Sequence, residues 1–287
     1  MMNPSTFPLG GDLPVQRLGY GAMRLCSQPG NFGPYPEWSA GESLLRRAVE
    51  LGVNFIDTAE AYGPGFNEEL IASALHPYPE GVVIATKGGV TKESPDKIFP
   101  DGRPENLRRG CEASLRRLKL DRIDLYQLHR PDSAVPFADS IGELARLRSE
   151  GKIRHVGLSN VTIEQIETAH AIVPIVSVQN RMNVAERDAA AVLDYCTAHG
   201  IAFLPFAPLG AHPMKPGAPL ASSAELHAVA QRHGATAAQI ALAWMLRRGP
   251  NVIVIPGTTT LAHLEENVAA TSIDLSDEDF RCLSNPS

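Results

Sequence analysis

Cysteine is scarce in this 287-residue chain: Cys26, Cys111, Cys196 and Cys282 lie far apart, in surroundings that do not match. No spacing among them is that of a structural zinc site or a redox dithiol. A disulfide scaffold is excluded and a reducing cytoplasm is expected. The nine histidines form no H-x-x-x-H or H-E-x-x-H pair, so no metal is expected. Long apolar runs are missing too. The longest, Ala241–Leu246 and Val252–Ile255, fall far short of the roughly 20 residues a membrane span needs. The start, MMNPSTFPLGGDL, has neither the basic region nor the apolar run of a signal peptide. Positive charge is in deficit, with 26 Lys and Arg against 32 Asp and Glu for a net −6. The basic doublets (Arg46-Arg47, Arg108-Arg109, Arg116-Arg117, Arg247-Arg248) are scattered and read as solvated helix faces, not a nucleic-acid surface. A G-x-G-x-x-G phosphate loop is absent as well. The Gly-rich GYGAM lacks that spacing, which argues against a doubly wound dinucleotide-binding sheet. A soluble, cytoplasmic protein without nucleic-acid or membrane partners is the expectation.

What the chain does have is alternation. Eight strand-like runs occur: Leu18–Met23, Val53–Asp57, Val82–Lys87, Ile123–His129, Ile153–Ser159, Ile175–Gln179, Ala202–Phe206 and Val252–Pro256. They are short, rich in Val, Ile and Phe, and too continuously apolar to be half-exposed, which suits parallel strands covered by helices. Between them run amphipathic segments with helix punctuation. Ser39-x-x-Glu42, Thr162-x-x-Gln165, Ser222-x-x-Glu225 and Thr236-x-x-Gln239 have capping-box spacing. Gly52, Gly151 and Gly200 close three helices shortly before the next apolar run. Helices are also read at Ala238–Arg248, with Trp244 and Met245 in the core, from Leu261 onward, and at Ser276–Leu283. Gly10-Gly11, set between two short apolar stretches, predicts a hairpin within Thr6–Arg17. The whole predicts one domain over residues 1–287. Its fold class is α/β: a (β/α)8 TIM barrel with an N-terminal hairpin cap and extra C-terminal helices.

Barrel enzymes work at the carboxyl ends of their strands. The second run ends in Asp57, the third in Lys87, the fourth in His129, the fifth in Ser159-Asn160, the sixth in Gln179 and the seventh in Phe206. Taken singly, each has an ordinary structural reading. Asp, Lys and His on three adjacent strands would converge, and convergent titratable groups mark sites. Tyr62, five residues past Asp57 in DTAEAYGPG, adds a phenol. A nearby ammonium stabilises its phenolate and lowers its pKa, and a carboxylate holds that ammonium in place. Such a chain delivers a proton to a carbonyl oxygen. No side chain donates hydride, so a nicotinamide or flavin is implied.

DTAEAYG, TKGG, LYQLHRPD, GLSN, VQN, PFAPLG and IPGTTTLAHLEEN follow one another in the order found in the aldo-keto reductase superfamily, which the chain resembles from Leu18 to Ala270. RLGYGAMRL and GATAAQIALAWMLRRGPNVIVIPGTTTLAHLEENVAA are most similar to bacterial pyridoxine and pyridoxal oxidoreductase-like members. The resemblance implies a catalytic tetrad of Asp57, Tyr62, Lys87 and His129. Tyr62 is then the general acid in reduction, Lys87 its tuner, Asp57 the anchor of Lys87, and His129 the orienter of the carbonyl. It also implies cofactor contacts, with Gly21, Ala22, Met23 and Asp57 among them. Ser159, Asn160 and Gln179 fall on positions that bind the nicotinamide carboxamide. Phe206 falls on the ring-stacking position, Leu209 on the pyrophosphate side, and Glu266 and Asn267 on the adenine side. Gly257, Thr258 and Thr259, opening a helix after the eighth strand, coincide with the barrel's usual phosphate site.

Two departures accompany the likeness. Many NADPH-dependent relatives have Lys where Gly257 stands and Arg where His263 stands, so Thr258, Thr259 and His263 must meet a 2′-phosphate here. The expected cofactor is NADPH, with NADH the alternative. The chain stops at Ser287 without a long tail, so the Arg24–Trp38 and Arg130–Phe137 loops are expected to shape the pocket. The expected partner is a small carbonyl substrate, and the protein a monomer or small homo-oligomer. Two other functions compete: a nucleotide-binding redox-sensing subunit with little turnover, and a Schiff-base barrel enzyme using Lys87.

Overall fold

The structure, a computed structural model, describes residues 5–210 and 223–284. Its strands are β1 (Thr6–Leu9), β2 (Leu13–Gln16), β3 (Tyr20–Gly21), β4 (Phe55–Asp57), β5 (Val83–Gly88), β6 (Val90–Lys92), β7 (Ile98–Pro100), β8 (Ile123–Leu128), β9 (Ile153–Ser159), β10 (Ile175–Gln179) and β11 (Ala202–Phe203). The helices are α1 (Trp38–Glu50), α2 (Phe66–Leu75), α3 (Pro104–Leu118), α4 (Phe137–Ser149), α5 (Ile163–His170), α6 (Ala190–Ala198), α7 (Ala224–His233), α8 (Ala237–Arg247), α9 (Leu261–Ala269) and α10 (Asp277–Ser284).

Seven strands form one parallel sheet in the order β11-β10-β9-β8-β5-β4-β3. The expected eighth run closes the ring through isolated parallel bridges, Phe203 to Val252 on one side and Leu18 to Val254 on the other. Backbone bonds support both, among them Ile253 N to Phe203 O (2.9 Å) and Gly19 N to Val254 O (2.8 Å). The result is the (β/α)8 barrel. Its closing seam has fewer strand bonds than the sequence suggests, and Arg17 reaches across it. That buried guanidinium donates to the carbonyls of Val252, Leu246 and Gly249. The first, second and seventh strands are shorter than expected. After Gly21 the chain turns into a 3-10 turn, Ala22–Arg24, and Phe206 bridges Arg181 outside β11.

Strand side chains alternate with period two, one set facing the helices and the other the barrel axis. Ile56, Ile84, Tyr126, Val156 and Val178 pack outward in the larger core. Phe55, Val83, Ala85, Leu125, Ala202 and Ile253 pack inward with Leu9, Leu13 and Val15. Those last three belong to the β1–β2 hairpin, which turns at Gly10-Gly11 and plugs the amino end of the barrel. Continuing the inward register from Phe55 reaches Asp57; from Ala85, Lys87; and from Leu125, Gln127. The plugged end is apolar and the open end polar.

Helix ends follow the sequence at most places. Thr162 with Gln165 and Thr236 with Gln239 are reciprocal capping boxes. Gly52, Gly151 and Gly200 take positive φ past their helices. Ser39 does not cap: α1 already begins at Trp38, and Ser39 lies inside it. Ser222 falls outside the described residues, and Ser223 caps α7 by accepting from Leu226 N. Trp244 and Met245 are fully buried, as expected.

Candidate active site

Asp57 and Lys87 enter the barrel from neighbouring strands, and both are buried. Lys87 Nζ donates to Asp57 Oδ2 (2.7 Å), to the Thr58 carbonyl (2.8 Å) and to the Tyr62 hydroxyl (3.4 Å). All three ammonium hydrogens are therefore engaged. Asp57 Oδ1 accepts from Gln179 Nε2 (2.8 Å) and Gln127 Nε2 (3.4 Å), so both carboxylate oxygens are held. A buried ion pair persists only when its remaining hydrogen-bonding capacity is met in this way.

Tyr62 stands above Lys87 on the loop after β4. Its ring centroid is 5.9 Å from that of His129, edge to face, so phenol and imidazole share one wall of the cleft. Burial pushes the phenol above the ordinary tyrosine value; Lys87 opposes this and Asp57 adds to it. The expected lowering by the ammonium is therefore present but outweighed, because few groups solvate a phenolate here. Burial alone would lower the Lys87 pKa, but Asp57 and Tyr62 more than offset it and hold the ammonium charged. Burial, then Lys87 and Arg130, push His129 well below the ordinary histidine value, so its ring is neutral. The site thus contains a protonated phenol beside a neutral imidazole, above a fixed cation.

These groups open into a cleft of about 670 Å³ across the carboxyl end of the barrel. Its lining includes Gly21, Met23, Asp57, Tyr62, His129, Ser159, Asn160, Gln179, Phe206, Leu209, Gly257, Thr258, Thr259, His263, Glu266 and Asn267. Two expected residues do not line it. Lys87 lies beneath the floor, and Ala22 is turned into the core by the 3-10 turn, its carbonyl accepting from Asn67 Nδ2 (2.9 Å). Asn160 takes a left-handed conformation (φ 59°), and its amide donates to the His129 carbonyl and to Ser159 Oγ.

The far end of the cleft is built from backbone. A Cβ on Gly21 would stand 2.5 Å from the Ile255 carbonyl oxygen, and one on Gly257 would stand 2.6 Å from that of Gly21. No side chain fits at either place without moving main chain. Thr260 caps α9 by accepting from His263 N, and Thr258 Oγ1 accepts from Thr260 N (3.1 Å). A helix N-terminus beside a close-packed glycine pair suits a phosphate-bearing ligand. The elongated lining, with an aromatic ring (Phe206) near one end and Glu266 and Asn267 at the other, fits a dinucleotide.

Several lining residues escaped the sequence reading. Of the two loops expected to shape the pocket, the first contributes Arg24 and Asn31 and the second Arg130; Trp38 instead starts α1. Lys92 and Ile98 come from the β6–β7 hairpin, which was not anticipated. Arg24 and Arg130 each follow directly on an expected strand run, in GAMRL and LHRPD, and that position is the available signal.

A barrel with such a site defines a class of nicotinamide-dependent oxidoreductases, and residues 17–285 match the Aldo/keto reductase family model. The chain belongs to that family and is an NAD(P)H-dependent oxidoreductase of carbonyl compounds. It is 45% identical over 274 residues to an uncharacterized oxidoreductase of Schizosaccharomyces pombe, covering 95% of this chain and 87% of that protein. It is 42% identical to pyridoxine 4-dehydrogenase of Escherichia coli, with 96% of each chain covered. Among solved structures, an aldo/keto reductase from Klebsiella pneumoniae in complex with NADP and acetate superposes with a TM-score of 0.80. That protein is 27% identical, with 97% of this chain and 94% of the other covered. No helix among the described residues is long and apolar enough to cross a membrane.

Proposed function

We propose that the protein reduces an aldehyde or ketone to the alcohol with NADPH, Tyr62 serving as the proton donor. A pyridoxal-like aldehyde is within its substrate class, a reading supported by the likeness to pyridoxine 4-dehydrogenase. The observation that carries the chemistry is the contact of Lys87 Nζ with both Asp57 and the Tyr62 hydroxyl.

The nicotinamide, when bound, supplies the hydride that no side chain can. Ser159, Asn160 and Gln179 would hold its carboxamide, and Phe206 its ring. Thr258, Thr259 and His263 would meet a 2′-phosphate. Arg24, exposed and beside Gly257, supplies the cation that the Lys-to-Gly departure removes. Glu266 and Asn267 would hold the adenine, with Leu209, Gly21 and Met23 along the way.

The rest belongs to the chain. Tyr62 is protonated through the neutral range and donates to the carbonyl oxygen as negative charge builds there. Lys87 stabilises the resulting phenolate at close range. Asp57 keeps Lys87 charged and pointed upward, and the two glutamine amides keep Asp57 from turning. His129, being neutral, offers a ring N–H to the same carbonyl oxygen without adding a competing charge. General acid catalysis of this kind contributes about 10²- to 10⁴-fold.

A panel of aldehydes and ketones, pyridoxal included, assayed with NADPH and with NADH tests the reading. Substrate-dependent oxidation of NADPH in preference to NADH is expected. Tight nucleotide binding with no turnover on any carbonyl would favour the redox-sensing alternative.

A further inference from the structure

The charges along the cleft are unevenly matched. Among the described lining residues, the carboxylates are Asp57 and Glu266. Asp57 is neutralised by Lys87, and Glu266 lies on α9, after the eighth barrel strand. Arg130 follows His129 at the end of β8, the fourth barrel strand. On a ring of eight, those two positions are diametrically opposed, so Glu266 is remote from Arg130. Arg24 follows the first strand, next to the eighth, and belongs with the phosphate end. Lys92 spends its charge on the loop wall, donating to the carbonyls of Gly30 and Asn31.

Arg130 is therefore left over. Its side chain is exposed, lines the cleft beside His129, and makes no hydrogen bond or ion pair with the described residues. Ile98, from the β6–β7 hairpin, adds an apolar surface to the same cleft, itself 37% exposed. An apolar substrate laid over an unpaired guanidinium would strip its water without replacing it, which costs free energy. An anion would instead recover a charge-assisted, bidentate pair.

We infer that the substrate mouth is an anion site: the preferred carbonyl substrate carries a carboxylate or phosphate that pairs with Arg130, its carbon frame lying against Ile98. The inference rests on the reductase reading and narrows its substrate class. The anionic group takes no part in bond-making; it sets the position of the carbonyl relative to Tyr62 and His129.

The test compares 4-carboxybenzaldehyde with its methyl ester, which keeps the frame but lacks the charge and, being more electron-withdrawing, has the intrinsically more reactive aldehyde. Wild-type protein with NADPH should show kcat/KM for the acid about tenfold or more above that for the ester. Arg130→Met should bring the ratio down to one or below, and Arg130→Lys should leave it between the two. Glyceraldehyde 3-phosphate against glyceraldehyde, run in parallel, tells a phosphate preference from a carboxylate one. Binding of the acid and the ester to NADP+-loaded protein, followed by calorimetry, gives the same comparison without turnover. A wild-type ratio near one for both pairs, or a ratio untouched by Arg130→Met, overturns the inference while reduction of the neutral aldehydes leaves the reductase reading standing. Arg130-dependent binding of the anion without any NADPH oxidation supports the anion site and counts against the reductase reading.

Discussion

Lys87 Nζ donates to Asp57 Oδ2 over 2.7 Å, and both groups lie buried at the open end of the barrel. The pair is part of the fold as well as of the site. Asp57→Asn would leave a buried ammonium without its counter-charge, at a cost of about 3–5 kcal/mol. We expect a clear drop in the denaturation midpoint together with loss of reduction. Asp57→Asn protein with a wild-type midpoint, measured by chemical denaturation, would show that the pair contributes nothing to stability.

Arg17 performs a similar structural task at the closing seam. It satisfies carbonyls of Leu246, Gly249 and Val252, two of them at the carboxyl end of α8. The Gly249 carbonyl keeps Val252 N as a donor (3.3 Å), and a buried carbonyl that loses its donor costs about 1–3 kcal/mol. Arg17→Met should therefore lower the thermal midpoint by several degrees while nucleotide affinity, per folded molecule, changes little. Equal midpoints would assign the seam to backbone bonds alone.

Much of this is legible in the sequence. Asp57, Lys87 and Gln179 stand out because a charged or amide side chain ending an apolar strand breaks its pattern. Eight such strands with helices between them allow few architectures. Arg17 was not legible, since its partners lie more than two hundred residues away and nothing local marks the contact. Gln127 carries no signal inside IDLYQLH; its role appears only when the ring brings it over Asp57. The β6–β7 hairpin lacks an apolar alternation, because Ile98 and Phe99 of β7 are exposed while one of the two buried positions of β6 is the charged Lys92. The 3-10 turn after Gly21 is not legible either, because Leu18–Met23 reads as one continuous strand.

The pH dependence follows from the raised Tyr62 pKa. Reduction needs the protonated phenol, so its rate should hold steady through neutrality and fall only above the ordinary tyrosine value near 10. Oxidation of the alcohol needs the phenolate and should rise with pH across the same range. Lys87→Met removes the one influence that lowers this pKa, so any residual oxidation should shift to still higher pH. Steady-state profiles in both directions check the sign; an alkaline fall in reduction beginning below pH 8 would contradict it.

The cofactor preference can be strengthened at one position. His263 lies in the first turn of α9 and lines the cleft where the 2′-phosphate is expected. His263→Arg replaces a ring by a fixed guanidinium, worth about 1.5–3 kcal/mol toward a phosphate. NADPH affinity should rise about tenfold or more and NADH affinity stay nearly constant, read by quenching of protein fluorescence. A parallel rise for both nucleotides would place the phosphate elsewhere.

The most direct measurement is single-turnover reduction by Tyr62→Phe. One hydroxyl is removed from a residue whose backbone and ring contacts stay in place, so the protein should fold and bind NADPH as the wild type does. Mixing the NADPH-loaded variant with excess aldehyde in a stopped-flow instrument should show hydride transfer slowed by at least about 10²-fold. A rate within a few-fold of wild type would mean that the proton comes from another group, and that Tyr62 is not the acid.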